Sequence, residues 1–347
     1  MIGRLRNRLA LLAIVSAAAL IVIAFMAPRV AAGAWLLAFV YVSAIVFGAL
    51  VLTCIHRLTG GYWGYALRPL FEPLAVCIVP LAVLFIPVLV AMPALFPWVQ
   101  GTPTVKPDVA ALYLNSPLFI ARAVVAFAGW SALALLLPRI GGRAGTLLAA
   151  LGLIFHAVII SLVAVDWVLS VEPGFVSTSF GASVAVMQIL AALALAAIFA
   201  PLPDEQAARD LGGLMLAVVL GLTYIDFMAV LVMWYGDIPG KIGWFVARAA
   251  APWKWLAVAS FAFGSVLPVL ALLLERVRAN RSALRAVGAC ILAGLAFYDA
   301  CLLAPAYGAW SLAAAALALI ALGCVLTLFV SLGAPSGLLR HVRAAHE

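Results

Sequence analysis

Five ionisable side chains stand inside long apolar stretches of this chain: Arg122, His156, Asp166, Asp226 and Asp299. A histidine titrates near neutral pH, and a carboxyl group taken out of water shifts toward the same range, so such groups can pass protons along a buried route. A charge at mid-bilayer costs about 2.5 to 3.5 kcal/mol on insertion scales, which makes a retained acid a functional-site candidate. The same residues can instead pair with one another or hydrogen-bond a neighbouring helix. His156 and Asp166 are ten residues apart in sequence, about 15 Å along one helix with faces some 80° apart, so they do not touch directly. They fit successive stations of a proton wire; equally, His156 fits a single bond across to another helix.

The elements that must carry these residues are membrane spans. Hydrophobic residues make up 68% of the 347 and charged residues 9%, and the mean hydropathy is +1.26, far from the composition of a soluble domain. Apolar windows of about 20 residues, enough to cross the hydrocarbon layer as a helix, predict an all-α integral membrane protein with ten transmembrane helices. Their expected limits are 9–27, 31–55, 73–97, 117–138, 144–170, 179–201, 211–235, 253–274, 286–306 and 309–333, within one polytopic domain of residues 1–347. Long continuous runs exclude a barrel, whose strands are short and alternating.

Lys and Arg are held on the cytoplasmic side during insertion. Arg4, Arg6, Arg8, Arg57, Arg68, Arg139, Arg143, Arg209, Arg276, Arg278, Arg281, Arg285, Arg340 and Arg343 fall on one face, and Arg29, Lys106, Arg122, Lys241, Arg248 and Lys254 on the other, a split of 14 to 6. Both termini are therefore expected in the cytoplasm. The net charge of +8 reads as topology and attraction to anionic lipid, not as nucleic-acid binding. The three arginines before the first apolar stretch also resemble a secretory signal, but nine further spans favour a retained helix.

With that orientation, Arg122 lies about 7 Å and Asp166 about 6 Å below the outer surface, so the two can meet and offset each other's desolvation. Asp299 falls about 10 Å down, Asp226 about 13 Å, and His156 near mid-depth. Cys54, Cys77, Cys290, Cys301 and Cys324 lie in or at the ends of spans without CxxC spacing, and His56, His341 and His346 lie at or beyond span ends. Disulfides, Fe–S clusters, covalent haem and an intramembrane bis-His haem are unsupported by this pattern. Polar stretches are short, so partners must dock on loops or helix faces. The aromatic and glycine-rich segment from Gly60 to Glu72 is expected to lie flat on the cytoplasmic surface, and Pro80, Pro87 and Pro93 to kink the third span.

Particular strings then become informative. Leu112-Tyr-Leu-Asn-Ser-Pro-Leu-Phe-Ile-Ala-Arg122 followed by Trp130, and Asp166-Trp-Val-Leu-Ser-Val-Glu-Pro-Gly-Phe-Val-Ser-Thr-Ser-Phe-Gly181, resemble the ActF-type membrane subunit of alternative complex III. Leu58-Thr-Gly-Gly61, Trp63-Gly64, Arg68-Pro-Leu70, Glu72 and Phe96-Pro-Trp98 resemble its start, and Trp234-Tyr235, Ile238-Pro239 and Trp244 its later outer loop. The strings keep the family's order over about residues 56–244, whereas the last three helices match in hydropathy only. The motif residues are Tyr113, Asn115, Trp167, Glu172, Trp234 and Tyr235.

The resemblance extends to the NrfD and polysulfide-reductase membrane subunits. It implies two four-helix bundles with a flanking helix at each end. It also implies a cofactor-free subunit with a structural and proton-conducting role in a respiratory quinol:acceptor oxidoreductase of the bacterial inner membrane. Implied partners are a paralogous membrane subunit with the better-supported quinol site, Fe–S and haem c subunits, a periplasmic cytochrome c or similar acceptor, and a cytochrome c oxidase. His156, Asp166, Asp226 and Asp299 are the candidate proton path, with Arg122 as charge partner and no metal. The chain departs from the family pattern at Ala229, Gly240 and Lys241, and Asp226, three residues before Ala229, is placed to restore the polarity lost there. Trp167, Phe175 and Phe180 are candidates to flank a quinone head, or else ordinary aromatic-belt residues. Two other readings are a stand-alone ion-coupled secondary transporter and a purely structural anchor for redox subunits.

Overall fold

A computed structural model describes residues 2–101, 107–175, 177–236 and 239–332, with side chains for all of these except Ile2 and residues 239–241. Among the described residues the chain is all-α. Ten helices are long and apolar enough to span a membrane: α1 Gly3–Met26, α2 Pro28–Thr59, α3 Tyr62–Val90, α4 Ser116–Leu136, α5 Gly142–Val171, α6 Phe180–Phe199, α7 Glu205–Tyr235, α8 Trp253–Leu273, α9 Arg281–Ala306 and α10 Trp310–Ser331. The protein is a multi-pass integral membrane protein. Lys106, Ile238, Arg340, Arg343, His341 and His346 lie outside the described residues.

Local chemistry sets several helix starts. Asn115 accepts from Leu118 N–H at 3.0 Å ahead of Pro117, Asp204 accepts from Ala207 N–H at 2.8 Å, and Asn280 accepts from Ser282 and Ala283 N–H. Each side chain satisfies donors that the first turn leaves without an intrahelical partner. Asp204 also accepts from the Tyr62 hydroxyl at 2.5 Å, and that bond holds its carboxyl below the usual range.

The segment from Gly60 to Glu72 departs from the flat surface course expected for it. Residues Tyr62–Val76 are helical and continue into the third span. Gly64, Leu67, Phe71 and Ala75 recur at helical spacing and are buried, while Arg68 pairs with Glu72 one turn on at 2.6 Å. The apolar stripe packs this stretch against the bundle, so the span begins well before residue 73. Beyond it, α3 is interrupted between Val76 and Ile78 and between Leu84 and Ile86, and past its end a break between Val90 and Met92 precedes the short helix Met92–Leu95. Pro80, Pro87 and Pro93 follow these breaks, each removing a backbone donor.

Helices α2 to α5 and α6 to α9 are each centred on one of two apolar clusters, the first also drawing residues from α1, α6, α9 and α10 and the second from α2 and α3, and the two groups join where α2 packs along α6. In α2, 89% of the most apolar window is buried, marking it as the central helix. A Cβ added at Gly48 would lie 1.8 Å from Gln188 O, so glycine is what allows α2 and α6 to approach this closely. The flanking helices do not stand at opposite ends of the molecule: α1 and α10 pack side by side, both against α2. Arg6 donates to Ser331 O, so they run antiparallel, with the start of α1 beside the end of α10.

Candidate functional site

The ionisable residues singled out in the sequence separate into two places. In the first bundle, Arg122 of α4 meets Asp166 of α5 through two parallel bonds, Nε to Oδ2 at 2.6 Å and Nη2 to Oδ1 at 2.9 Å. Arg122 Nη2 also donates to Tyr113 O at 3.1 Å, and its guanidinium carbon lies 4.0 Å over the Tyr113 ring. The Tyr113 hydroxyl reaches back to Leu162 O on α5 at 3.3 Å. Asp166 is buried, its side chain 1% exposed against 16% for Arg122. A delocalised, forked cation satisfies both carboxylate oxygens at once, which is the geometry that offsets taking two charges out of water.

His156 lies two to three turns away on α5, also buried, and neither ring nitrogen has a hydrogen-bond partner. Its nearest ring is Trp130 of α4, with centroids 5.9 Å apart, and Trp130 Nε1 is likewise unpartnered. Toward the Asp166 level, a cavity of about 20 Å³ is lined by Ser43, Gln188, Ile160 and Trp167 among others. Gln188 Oε1 is buried there without a partner. That volume holds one water, and a buried amide oxygen with no protein donor is the group such a water serves.

Trp167 does not face a ligand position. It is packed among Phe39, Phe85, Phe127 and Trp130, with ring centroids 4.6 to 6.4 Å away. Phe175 stacks on Trp244 at 4.2 Å, and Phe180 is buried. These three aromatics therefore serve the core and a loop contact, not a quinone head, because their faces are already covered.

Asp226 and Asp299 belong to the second bundle. Ser183 of α6 donates to Asp226 Oδ1 at 2.5 Å. Tyr298, next to Asp299 on α9, stands beside Asp226, Asp299 and Ser183. Asp299 is 2% exposed, and its Oδ1 has no hydrogen-bond partner. Ser183 and Tyr298 were not among the residues picked from the sequence; hydroxyl groups are too common in membrane helices to signal a site by type.

A further ion pair went unread in the sequence. Arg248, at the end of the helix Pro239–Arg248, is buried and donates to Glu172. It also donates to Cys301 O and Leu302 O, each at 2.9 Å, and lies 3.7 Å over the Trp244 ring. Trp244 Nε1 donates to the same Glu172 oxygen, Oε2, at 2.9 Å. One guanidinium thus fastens the α7–α8 connection to the α5–α6 loop and to the end of α9. The available signal was the four-residue spacing of Trp244 and Arg248, which stacks a cation on an indole along one helical face. Of the other family-motif residues, Asn115 caps α4, whereas Trp234 and Tyr235 are exposed at the end of α7.

The cysteines are all free, and among the described residues no three His, Cys, Asp or Glu side chains group as a metal site. Neither a protein-family model nor a curated protein sequence matches the chain.

Proposed function

We propose that this chain is a membrane-integral subunit of an alternative complex III-like quinol:acceptor oxidoreductase and helps carry protons released by quinol oxidation toward the outer face. In this reading both termini are cytoplasmic, the membrane is a bacterial inner membrane, and the electrons travel through Fe–S and haem c groups of partner subunits. The ordered strings across residues 56–244 support the family assignment. The observation that carries the proton role is the pair of buried ionisable groups left without hydrogen-bond partners, both His156 nitrogens and Asp299 Oδ1, inside apolar helices. A merely structural polar group is normally satisfied by its neighbours, and an unsatisfied one costs about 1 to 3 kcal/mol, so its retention argues for use.

The roles divide accordingly. Asp226, bonded to Ser183, and Asp299, next to Tyr298 in the chain, form the acidic relay of the second bundle. His156 is the titratable group of the first, four residues before Ile160 at the water-sized space beside Gln188. Asp166 enters as the counter-ion of Arg122, able to take a proton only when that pair opens. Deleting the chain from its host tests the reading: membranes lacking it should lose quinol-driven reduction of the periplasmic acceptor. Undiminished reduction would overturn it, and loss of an ion-coupled solute uptake instead would favour the transporter.

A further inference from the structure

A cavity of about 240 Å³ opens between α7, α8 and α9. Its polar lining is Thr223 and Asp226 from α7, Ser260 and Ser265 from α8, and Tyr298 from α9, and its mouth is edged by Phe227, Val230 and Phe261. Those three apolar side chains are exposed on the outside of the bundle, the surface that faces lipid in a ten-span membrane protein. Polar groups therefore converge at the inner wall while the entrance is hydrocarbon-like.

The shape of α8 at this point is specific. Residues Ala262–Val266 form a π turn, closed by Leu267 N–H bonding to Ala262 O. Pro268 follows, and it has no N–H to give to the Gly264 carbonyl one turn back, which favours a widened turn there. On a regular helix, residues five apart point about 140° away from one another. The extra residue in the wide turn brings Ser260 and Ser265 to the same cavity. Gly264 also lies against Gly294 of α9, where a Cβ would fall 2.1 Å from the Gly264 nitrogen. That close contact closes the back of the cavity.

We infer that this cavity is a lipid-accessible binding site for an amphiphile with an uncharged, hydrogen-bonding carbonyl or hydroxyl head on an apolar tail. At about 240 Å³ the cavity is slightly below the usual range of small-molecule pockets, the scale of a head group and not of a whole lipid. Ser183 occupies Asp226 Oδ1, leaving Oδ2 to accept from a head-group hydroxyl. Ser265 is the hydroxyl donor for a carbonyl, whereas Ser260 donates to Ala257 O at 2.8 Å and the Tyr298 hydroxyl bonds Ser183, so these two line the wall as acceptors. Apolar walls with a few convergent polar groups are the usual make-up of a small-molecule site. A charged phosphate head is disfavoured, because the lining has an acid and no cation. A quinone and a neutral glycerolipid share the remaining chemistry. Choosing a quinone as the probe rests on the proposed function; the cavity does not.

The test uses the full chain, with whatever subunits accompany it, in phosphatidylcholine nanodiscs. A benzoquinone carrying a ring azide and a ten-carbon tail is photolysed and the labelled peptides are mapped. Label is expected on peptides containing Asp226, Ser260, Ser265 or Tyr298, displaced by excess decyl-benzoquinone. Ser265→Leu, which fills the cavity with apolar volume, should reduce that label at least fivefold. Asp226→Asn, a gentler change, should reduce it by about fivefold, the worth of one hydrogen bond. Displacement by dioctanoylglycerol alone would assign the head to a neutral glycerolipid and uphold the site. Label spread over the lipid-facing helices, or displaced by neither competitor, would overturn it. No electron transfer is read, so a chain that purifies without redox subunits yet holds the probe would remove the proposed function and leave the site standing.

Discussion

Arg122 and Asp166, 44 residues apart in sequence, meet through a forked pair of hydrogen bonds of 2.6 and 2.9 Å at the junction of α4 and α5. Removing either partner strands the other in a buried setting, at a cost of about 3 to 5 kcal/mol, whereas removing both leaves no orphan charge. Arg122→Leu and Asp166→Leu should each lower the thermal midpoint in detergent sharply, and the double variant should recover most of the loss. A double variant as unstable as the sum of the singles would show that the two residues act independently.

Arg248 should behave as a fastener. Arg248→Met removes the bonds to Glu172, Cys301 O and Leu302 O together. Hydrogen exchange should accelerate in Trp244–Arg248 and around Cys301, with the Arg122 region unchanged. Glu172→Gln should have a smaller effect in the same direction, about 1 kcal/mol or less, since Glu172 is one-third exposed and its replacement still accepts a bond.

Asp299 and His156 invert the usual sign. Each is a buried polar group with an unmet hydrogen bond, so Asp299→Leu and His156→Leu should raise stability by about 1 to 3 kcal/mol. Proton release by the assembled complex should fall with the same substitutions. That stability and function move in opposite directions separates a working residue from an anchor, for which release would be unchanged.

Helix approach should depend on two glycines. Gly48→Ala and Gly294→Ala place a methyl group at 1.8 Å from Gln188 O and 2.1 Å from Gly264 N. Backbone cannot yield as a flexible side chain does, so both variants should lose about 3 kcal/mol or more, or fail to accumulate. Gly213→Ala, with nothing within 4 Å of the new methyl, is the control and should be neutral or slightly stabilising, because alanine is the better helix former.

What the sequence made legible was what depends on one helix at a time. Apolar length located ten spans, and counting 1.5 Å per residue from the same surface brought Arg122 and Asp166 level. The start of α3 was missed because the aromatics, glycines and Arg68 of Gly60–Glu72 read as a stretch lying flat on the membrane surface, while burial of Leu67 and Phe71 by neighbouring helices decides the conformation. The Glu172–Arg248 pair joins two connections between spans, its partners 76 residues apart, and depth counting has no purchase outside the spans. The aromatic triad was misread for a related reason: Trp167 and Phe175 sit at the right level for a membrane belt, but level does not say which way a side chain faces. The division of the acids between two bundles likewise depends on which helices adjoin, and hydropathy carries no information on that.

The central claim is membership of a quinol-oxidising assembly, and gentle purification of the chain from its native membrane with identification of what accompanies it tests that most directly. The account predicts co-purifying Fe–S and haem c subunits, a second, related membrane subunit, and quinol:cytochrome c reduction by the preparation. A chain that purifies alone, without haem and without that activity, would contradict it.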